Sequence, residues 1–274
     1  MTVNRYVIKF AFDGHLFSSY ARQPEGGTVE DELLDALGRA GIIENAKAAD
    51  FASASRVDKG VSAISAAVAF DTRVGKDRLL RSLNANTISL VAHSIASVEP
   101  GFDPRRMASA RWYRYHFPSE EDSSGLDIPS MRMVAETFLG EHDMSAFARL
   151  DGREPMRTVL EVGVERRSGA LVLDVRGRSF LWNQVRRMAS AIRMVGTGEV
   201  SVDQVREALS SGAGGPFPPL PPVGLFLMDV AYDDLEFQRV QDLPSGTRGH
   251  LRESYHQERC SVRYHEYLRE KVLF

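Results

Sequence analysis

The order in which two hydrophobic periods alternate limits the fold of this 274-residue chain more than any other feature. Residues 3 to 12 repeat at every second position, with Tyr6, Ile8, Phe10 and Phe12 on one parity, the pattern of a half-buried strand. Asp13-Gly14 ends it as a turn, and the polar, glycine-bearing segment from His15 to Gly27 reads as a loop. Thr28 to Arg39 then changes to a helical stripe, Val29, Leu33, Leu34 and Leu37, behind a Thr28-Val29-Glu30-Asp31 start that fits a capping box. Ile64 to Asp71 returns to a strand, Lys76 to Leu83 to a short helix, and Ile88 to Val98 to a strand. The second half has the same ingredients: a strand from Ala108 to Phe117, a polar loop from Glu120 to Pro129 and a helix from Ser130 to Gly140. A hairpin of Val159–Arg166 and Leu171–Val175 turns at Ser168-Gly169, and helices follow from Ser179 to Val195 and from Val202 to Ser210. A Gly/Pro loop, Gly212 to Pro222, leads to a closing strand, Gly224 to Tyr232. This alternation predicts an α+β fold of two related halves, each an antiparallel sheet packed with helices. The halves are expected at 1–103 and 104–236, followed by a C-terminal extension, 237–274, with a helix from Leu251 to Val272.

Composition narrows the setting. A 43% apolar share supports a real core. The single Cys260 excludes an intramolecular disulfide and fits a reducing compartment. The chain runs straight from Met1 into a strand pattern without a signal-peptide signature, and no apolar run reaches membrane-spanning length, so a cytoplasmic protein without a membrane partner is expected. His256, Cys260 and His265 fit no standard zinc spacing and read as a surface helix. A net charge of -3 excludes a uniformly basic nucleic-acid binder. Two segments nevertheless hold arginines without any acid: Pro104 to Ser119 carries Arg105, Arg106, Arg111 and Arg114, and Val175 to Gly198 carries Arg176, Arg178, Arg186, Arg187 and Arg193. They form one basic patch if the fold brings them together, and otherwise are scattered solvated charges.

The stretch with chemistry in it is Ser55-Arg56-Val57-Asp58-Lys59-Gly60-Val61-Ser62-Ala63. Asp-Lys-Gly is ordinary turn chemistry, with glycine at a position that asks for positive φ. An ionised aspartate in a pocket is also a nucleophile or a base, and Arg56 is close enough to favour that charged form. The stretch resembles the catalytic loop of the TruA family of tRNA pseudouridine synthases, Gly-Arg-Thr-Asp-x-Gly-Val-His-Ala. Arg56, Asp58, Gly60, Val61 and Ala63 match it; Ser55, Val57 and Ser62 do not.

Further motifs follow in the family's order, over roughly residues 5 to 235. Phe12-Asp13-Gly14 resembles its aromatic-Asp-Gly turn, and Arg111-Trp112-Tyr113-Arg114-Tyr115 its stretch ending Tyr-Arg-Tyr. Arg153, Pro155 and Arg157 resemble an Arg-x-Pro-x-Arg element. Ser179-Phe180-Leu181-Trp182-Asn183-Gln184-Val185-Arg186 is similar to its Ser-Phe-Leu-x-x-x-Val-Arg helix, and Gly224-Leu225 to its closing strand. In the first loop the family's Gly-Trp-Gln-x-Gln keeps only Gln23. The C-terminal tail lies outside the match.

The resemblance implies RRM-like or ferredoxin-like halves with the active-site cleft between them, and isomerisation of uridine in the anticodon arm of tRNA by a homodimer without a cofactor. Asp58 would be the catalytic carboxylate, Arg56 would orient it, and Tyr113 would stack on the uracil and assist proton transfer at C5. Arg186 would pair with Asp58, Leu225 would line the uracil pocket, and Arg105, Arg111 and Arg178 would hold phosphates. Val57 removes a hydroxyl beside Asp58, and Ser62 stands where the family has histidine. The competing reading is a catalytically inactive RNA-binding protein on the same scaffold. A glycosidase is poorer, since it needs two carboxylates flanking one bond and the motifs supply one.

Overall fold

The computed structural model describes residues 3–87, 89–118, 125–167, 169–213, 215, 217–240 and 243–268. β1 (Asn4–Phe12) buries Tyr6, Ile8, Phe10 and Phe12, as their alternation predicts. It pairs antiparallel with β3 (Ser62–Thr72) on one side and β4 (Leu90–Val98) on the other, while the two-residue β2 (Ala52–Ser53) adds to β3. α1 (Val29–Arg39) starts at a true capping box: the Asp31 N–H donates to the Thr28 hydroxyl at 3.1 Å and the Thr28 N–H to the Asp31 carboxylate at 3.3 Å. α1 and α2 (Lys76–Asn84) lay Leu33, Leu37, Leu79 and Leu83 on the face that carries Tyr6 and Phe10, making one apolar core.

The C-terminal flank comprises β5 (Ala110–His116), α3 (Ile128–Glu136), β6 (Gly140–Asp143), β7 (Met156–Arg167), β8 (Ala170–Gly177), α4 (Gln184–Gly196), α5 (Val202–Ser211) and β9 (Leu225–Ala231). Met131, Val134, Met188, Ile192 and Val205 pack on Tyr115, Leu173 and Val175 in a second core. Last come β10 (Gln238–Arg239), on the edge beside β4, and α6 (Ser245–Leu268). Thr247 of α6 is buried and donates to the Asn84 carbonyl at 3.0 Å.

The two sheets expected from the sequence are continuous. The strand order is β10-β4-β1-β3-β9-β5-β8-β7-β6, ten strands with β2 beside β3, mostly antiparallel. β9 joins the flanks: it runs parallel to β3 through Ser62↔Phe226 and Ala63↔Leu227, and antiparallel to β5. Its side chains explain the position, since Leu227 and Val230 enter the first core, as does Tyr232 just beyond the strand, and Leu225 enters the second. A strand late in the chain therefore sits next to the strand that opens with the Asp58 loop.

Three expected elements shift. The helix expected from Ser179 begins at Gln184, because Asn183 takes left-handed backbone at φ 63° and leaves Ser179 to Asn183 as an irregular segment. The helix expected from Ser130 to Gly140 runs Ile128–Glu136, capped by Asp127, whose carboxylate accepts the Ser130 N–H at 3.1 Å; Gly140 opens β6 instead. The C-terminal helix starts at Ser245, six residues before Leu251. Ile88, Glu120 to Ser124, the turn residue Ser168, Gly214, Pro216 and the helix residues beyond Leu268 lie outside the described residues.

Candidate active site

Asp58 to Val61 form the expected turn. The Val61 N–H reaches the Asp58 carbonyl at 3.1 Å, and Gly60 has φ 83°. The Asp13-Gly14 turn clamps it from outside. A Cβ on Gly14 would stand 2.3 Å from the Val61 carbonyl oxygen, so only glycine allows this approach. Ser62, in the position where histidine was expected, is buried and accepts the Gly14 N–H at 3.0 Å. Val57 packs against both apolar cores.

The loop opens into a cavity of about 420 Å³ above the β3–β9–β5 junction. Asp58, Arg56, Tyr113, Arg186, Leu225, Arg111 and Arg105 all line it; Arg178 does not. Arg186 is the residue that holds Asp58, with its Nη1 2.9 Å from the carboxylate. Arg186 is itself fixed. Its Nε donates to the Leu220 carbonyl at 2.6 Å, and the same Nη1 reaches the Asn183 side-chain oxygen at 2.9 Å. Both Asp58 and Arg186 are largely shielded, which strengthens their attraction relative to a surface pair.

Arg56 does something else. Its side chain is two-thirds exposed and lies 4.0 Å from Glu30, a carboxylate anchored by the Ser53 hydroxyl at 2.8 Å and the Arg22 N–H at 3.2 Å. Among the described residues Arg56 makes no ion pair with Asp58, whereas the Asp58–Arg186 pair implied by the resemblance forms between opposite flanks, 128 positions apart. Nearness in sequence pointed to Arg56 and the family motif to Arg186, and it is Arg186 that meets the carboxylate.

Arg111 is buried, with its guanidinium given to backbone carbonyls: Arg178 at 2.7 Å, Arg105 at 2.7 Å and Ala54 at 3.1 Å. It ties three segments of the cavity wall together, and burial lowers its pKa from the ordinary value, offset by the nearby phenols of Tyr113 and Tyr232. Arg178 enters this arrangement through its carbonyl while its side chain is exposed.

Tyr113 is half-buried and packed edge-on by Phe180, ring centroids 5.3 Å apart. Burial pushes its phenol up to about 12; Arg111 works against this shift and the Asp58 charge adds to it. Among the described residues its hydroxyl takes no hydrogen bond, so it faces the cavity with its donor unused. Leu225 is buried at the cavity floor.

The two acid-free arginine segments do meet, since β5 and β8 are neighbours, but only in part. Arg105, Arg111 and Arg186 reach the cavity. Arg114 turns to the other face and binds Asp174 through two hydrogen bonds, 2.9 and 3.0 Å, while Arg176 pairs with Glu161 and Arg106 with Asp103. Sequence reasoning missed Asp151 as a lining residue and gave no place at the site to Arg153, the first arginine of the Arg-x-Pro-x-Arg element, or to Trp182 and Asn183 on the segment read as helix, all of which line the cavity. The left-handed Asn183 was the available signal, since asparagine tolerates that backbone better than most residues. No group of three or more metal-ligating side chains occurs among the described residues, and none of their helices is long and apolar enough to cross a membrane.

A family described as tRNA pseudouridine synthase matches residues 134–233. A protein named tRNA pseudouridine synthase A from Thermococcus kodakarensis is 40% identical over 237 residues, 85% of this chain and 87% of that protein. One of the same name from Thermococcus sibiricus is 37% identical over 235 residues, 85% of this chain and 87% of its own length. The one from Thermococcus onnurineus is 35% identical over 273 residues, 98% of this chain and 97% of its own, so the C-terminal tail, expected outside the match, lies inside it. With this identity over nearly the whole length, the chain belongs to the TruA family of tRNA pseudouridine synthases, which are isomerases.

Proposed function

We propose that this chain isomerises uridine to pseudouridine in the anticodon stem-loop of tRNA, with Asp58 as its catalytic carboxylate. The observation that carries this reading is the direct Asp58–Arg186 pair at 2.9 Å, inside a cavity lined by motif residues from both flanks. The reaction breaks the N1–C1′ bond, turns the uracil and joins C5 to C1′. It has no net redox change and needs one carboxylate to meet the electrophilic intermediate. Arg186 keeps that carboxylate oriented. Tyr113, neutral below about pH 10 because burial raises its pKa, stacks on the uracil and exchanges its proton near C5. Leu225 supports the base from below, and Arg56, tethered only loosely to Glu30, is free to meet the RNA as the uridine leaves its stack. Arg105 and Arg178, both exposed near the mouth, supply phosphate contacts, whereas Arg111 shapes the wall.

On this reading the flanks around β1 and around β5 are two related RRM-like halves that share β9. The enzyme works in the cytoplasm as a homodimer whose subunits together span one tRNA. A glycosidase would need a second acid. Asp151 is the other carboxylate at the cavity, and it is exposed on the rim, so the isomerase reading is preferred.

The test is product mapping. Unmodified tRNA transcripts incubated with the protein are read for pseudouridine by carbodiimide modification and primer extension. Pseudouridine in the anticodon stem-loop is the expected result. No pseudouridine in any tRNA, with tRNA still bound in a salt-dependent way, would replace this reading by the non-catalytic RNA-binding one.

A further inference from the structure

Trp182 stands at the cavity mouth with 41% of its surface exposed, unusual for the largest apolar side chain. Its position is built. The Arg149 N–H donates to the Trp182 carbonyl at 2.9 Å in an isolated bridge, and the Arg149 guanidinium carbon sits 4.2 Å from the indole centroid. On one side Leu181 is buried, and on the other Asn183 holds left-handed backbone and contacts Arg186. The indole therefore has a cation against one face, lies outside the helix, and keeps exposed surface at the cavity that Asp58 also lines. Among the described residues Arg149 makes no ion pair, so its charge stays available at the same place.

The geometry points to Trp182 as a stacking platform for the nucleotide next to the target uridine, with Arg149 backing the indole. This rests on the RNA-modifying reading above. Tyr113 occupies the cavity interior and is less exposed, so it suits the extruded base, while Trp182 at the rim suits the base that stays in the strand. Extruding a uridine strips each flanking base of a stacking partner, and an aromatic face restores one without reading sequence. The cation behind the ring adds a positive edge beside the phosphate of that nucleotide.

The experiment compares wild type, Trp182→Phe and Trp182→Ala on a mapped tRNA substrate and on two versions in which the nucleotide on either side of the target is abasic. Trp182→Ala should raise KM roughly five- to 150-fold, the range measured when a stacking aromatic is removed, with kcat within about twofold, and Trp182→Phe should recover most of the loss. On one of the abasic substrates wild type and Trp182→Ala should become equal. A second reading uses the fact that the chain has two tryptophans. In Trp112→Phe, which alters the opposite sheet face, Trp182 is the sole tryptophan, and its fluorescence should be quenched by the intact RNA and spared by that abasic one. An unchanged KM, an equal penalty on both abasic substrates, or a fall in kcat alone would overturn the platform. So would a change of oligomeric state on sizing, which would make Trp182 a subunit contact. Turnover by wild type in the same assay keeps failure of this proposal separate from failure of the isomerase reading.

Discussion

The two faces of β5 carry the same kinds of residue to opposite ends. Arg111 and Tyr113 point to the helix-covered face and line the cavity with Asp58. Trp112 and Arg114, on the other parity, point to the open face, where Asp174 accepts from the Trp112 indole N–H at 2.7 Å and from Arg114 at 2.9 and 3.0 Å. That face has a cavity as well, about 490 Å³ against about 420 Å³, lined by Glu161, Glu165, Arg167, Asp174 and Arg176. Size does not separate the two. What separates them is whether the charges are spent: on the open face Arg114 and Arg176 meet carboxylates, while at the first cavity one carboxylate, Asp58, is met by an arginine from the far flank, and Arg105 and Arg153 carry no partner carboxylate among the described residues. An arginine count along the chain is thus a poor guide, because one step along a strand decides whether the charge is available.

Substitutions on the two faces should break differently. After Asp58 itself, the largest effect is expected at Arg186. Arg186→Gln removes the contact that orients the carboxylate and should lower kcat about a hundredfold, with tRNA affinity changed little; steady-state kinetics beside a filter-binding titration checks both. Arg111→Gln leaves three carbonyls without their donor and should cost about 3 kcal/mol of stability, seen as a lower denaturant midpoint. Arg114→Gln, on the opposite parity of the same strand, loses a half-buried ion pair, which should cost about 1–2 kcal/mol, and turnover at a permissive temperature should stay within about twofold. If Arg114→Gln lost as much activity as Arg186→Gln, the distinction between the faces would fail.

The smallest effect concerns pH. The Tyr113 phenol is raised from 10.0 to about 12 by burial, so it is neutral in the folded state wherever the unfolded chain is still protonated. Its contribution to stability is complete below about pH 10 and declines as pH rises toward about 12, because only the unfolded state ionises in that window. The rate profile between about pH 6 and 9 should therefore keep its shape in Tyr113→Phe, although its height falls. A new basic limb in wild type that vanishes in Tyr113→Phe would mean that the phenolate is the working form.

Local signals were legible in the sequence and distant ones were not. The Thr28 cap, the Gly60 turn, the β1 alternation and the buried Val185, Met188 and Ile192 stripe all follow from residues close in the chain. The Asp58–Arg186 pair and the cavity residues Tyr113 and Leu225 were reached through family motifs rather than periodicity. The insertion of β9 between β3 and β5 leaves no trace in local pattern, since it depends on Leu225 and Leu227 belonging to different cores. The segment from Ser179 to Asn183 reads as helix because Leu181 continues the apolar stripe, but Leu181 is buried from outside the helix, and its N–H is taken by the Gln184 side chain at 2.9 Å. Arg56 was placed on Asp58 by nearness in sequence, while Glu30, capping-end residue of α1, is the acid it meets.

In the proposed function Asp58, oriented from the opposite flank by Arg186, carries out the chemistry. Its most direct test is tritium release from tRNA labelled at uridine C5, with enzyme in excess, for wild type and Asp58→Asn. Release by wild type and none above background from Asp58→Asn, with both proteins binding the tRNA at the same Kd, is the expected result. Equal release by the two would contradict the assignment of Asp58 and the mechanism built on it.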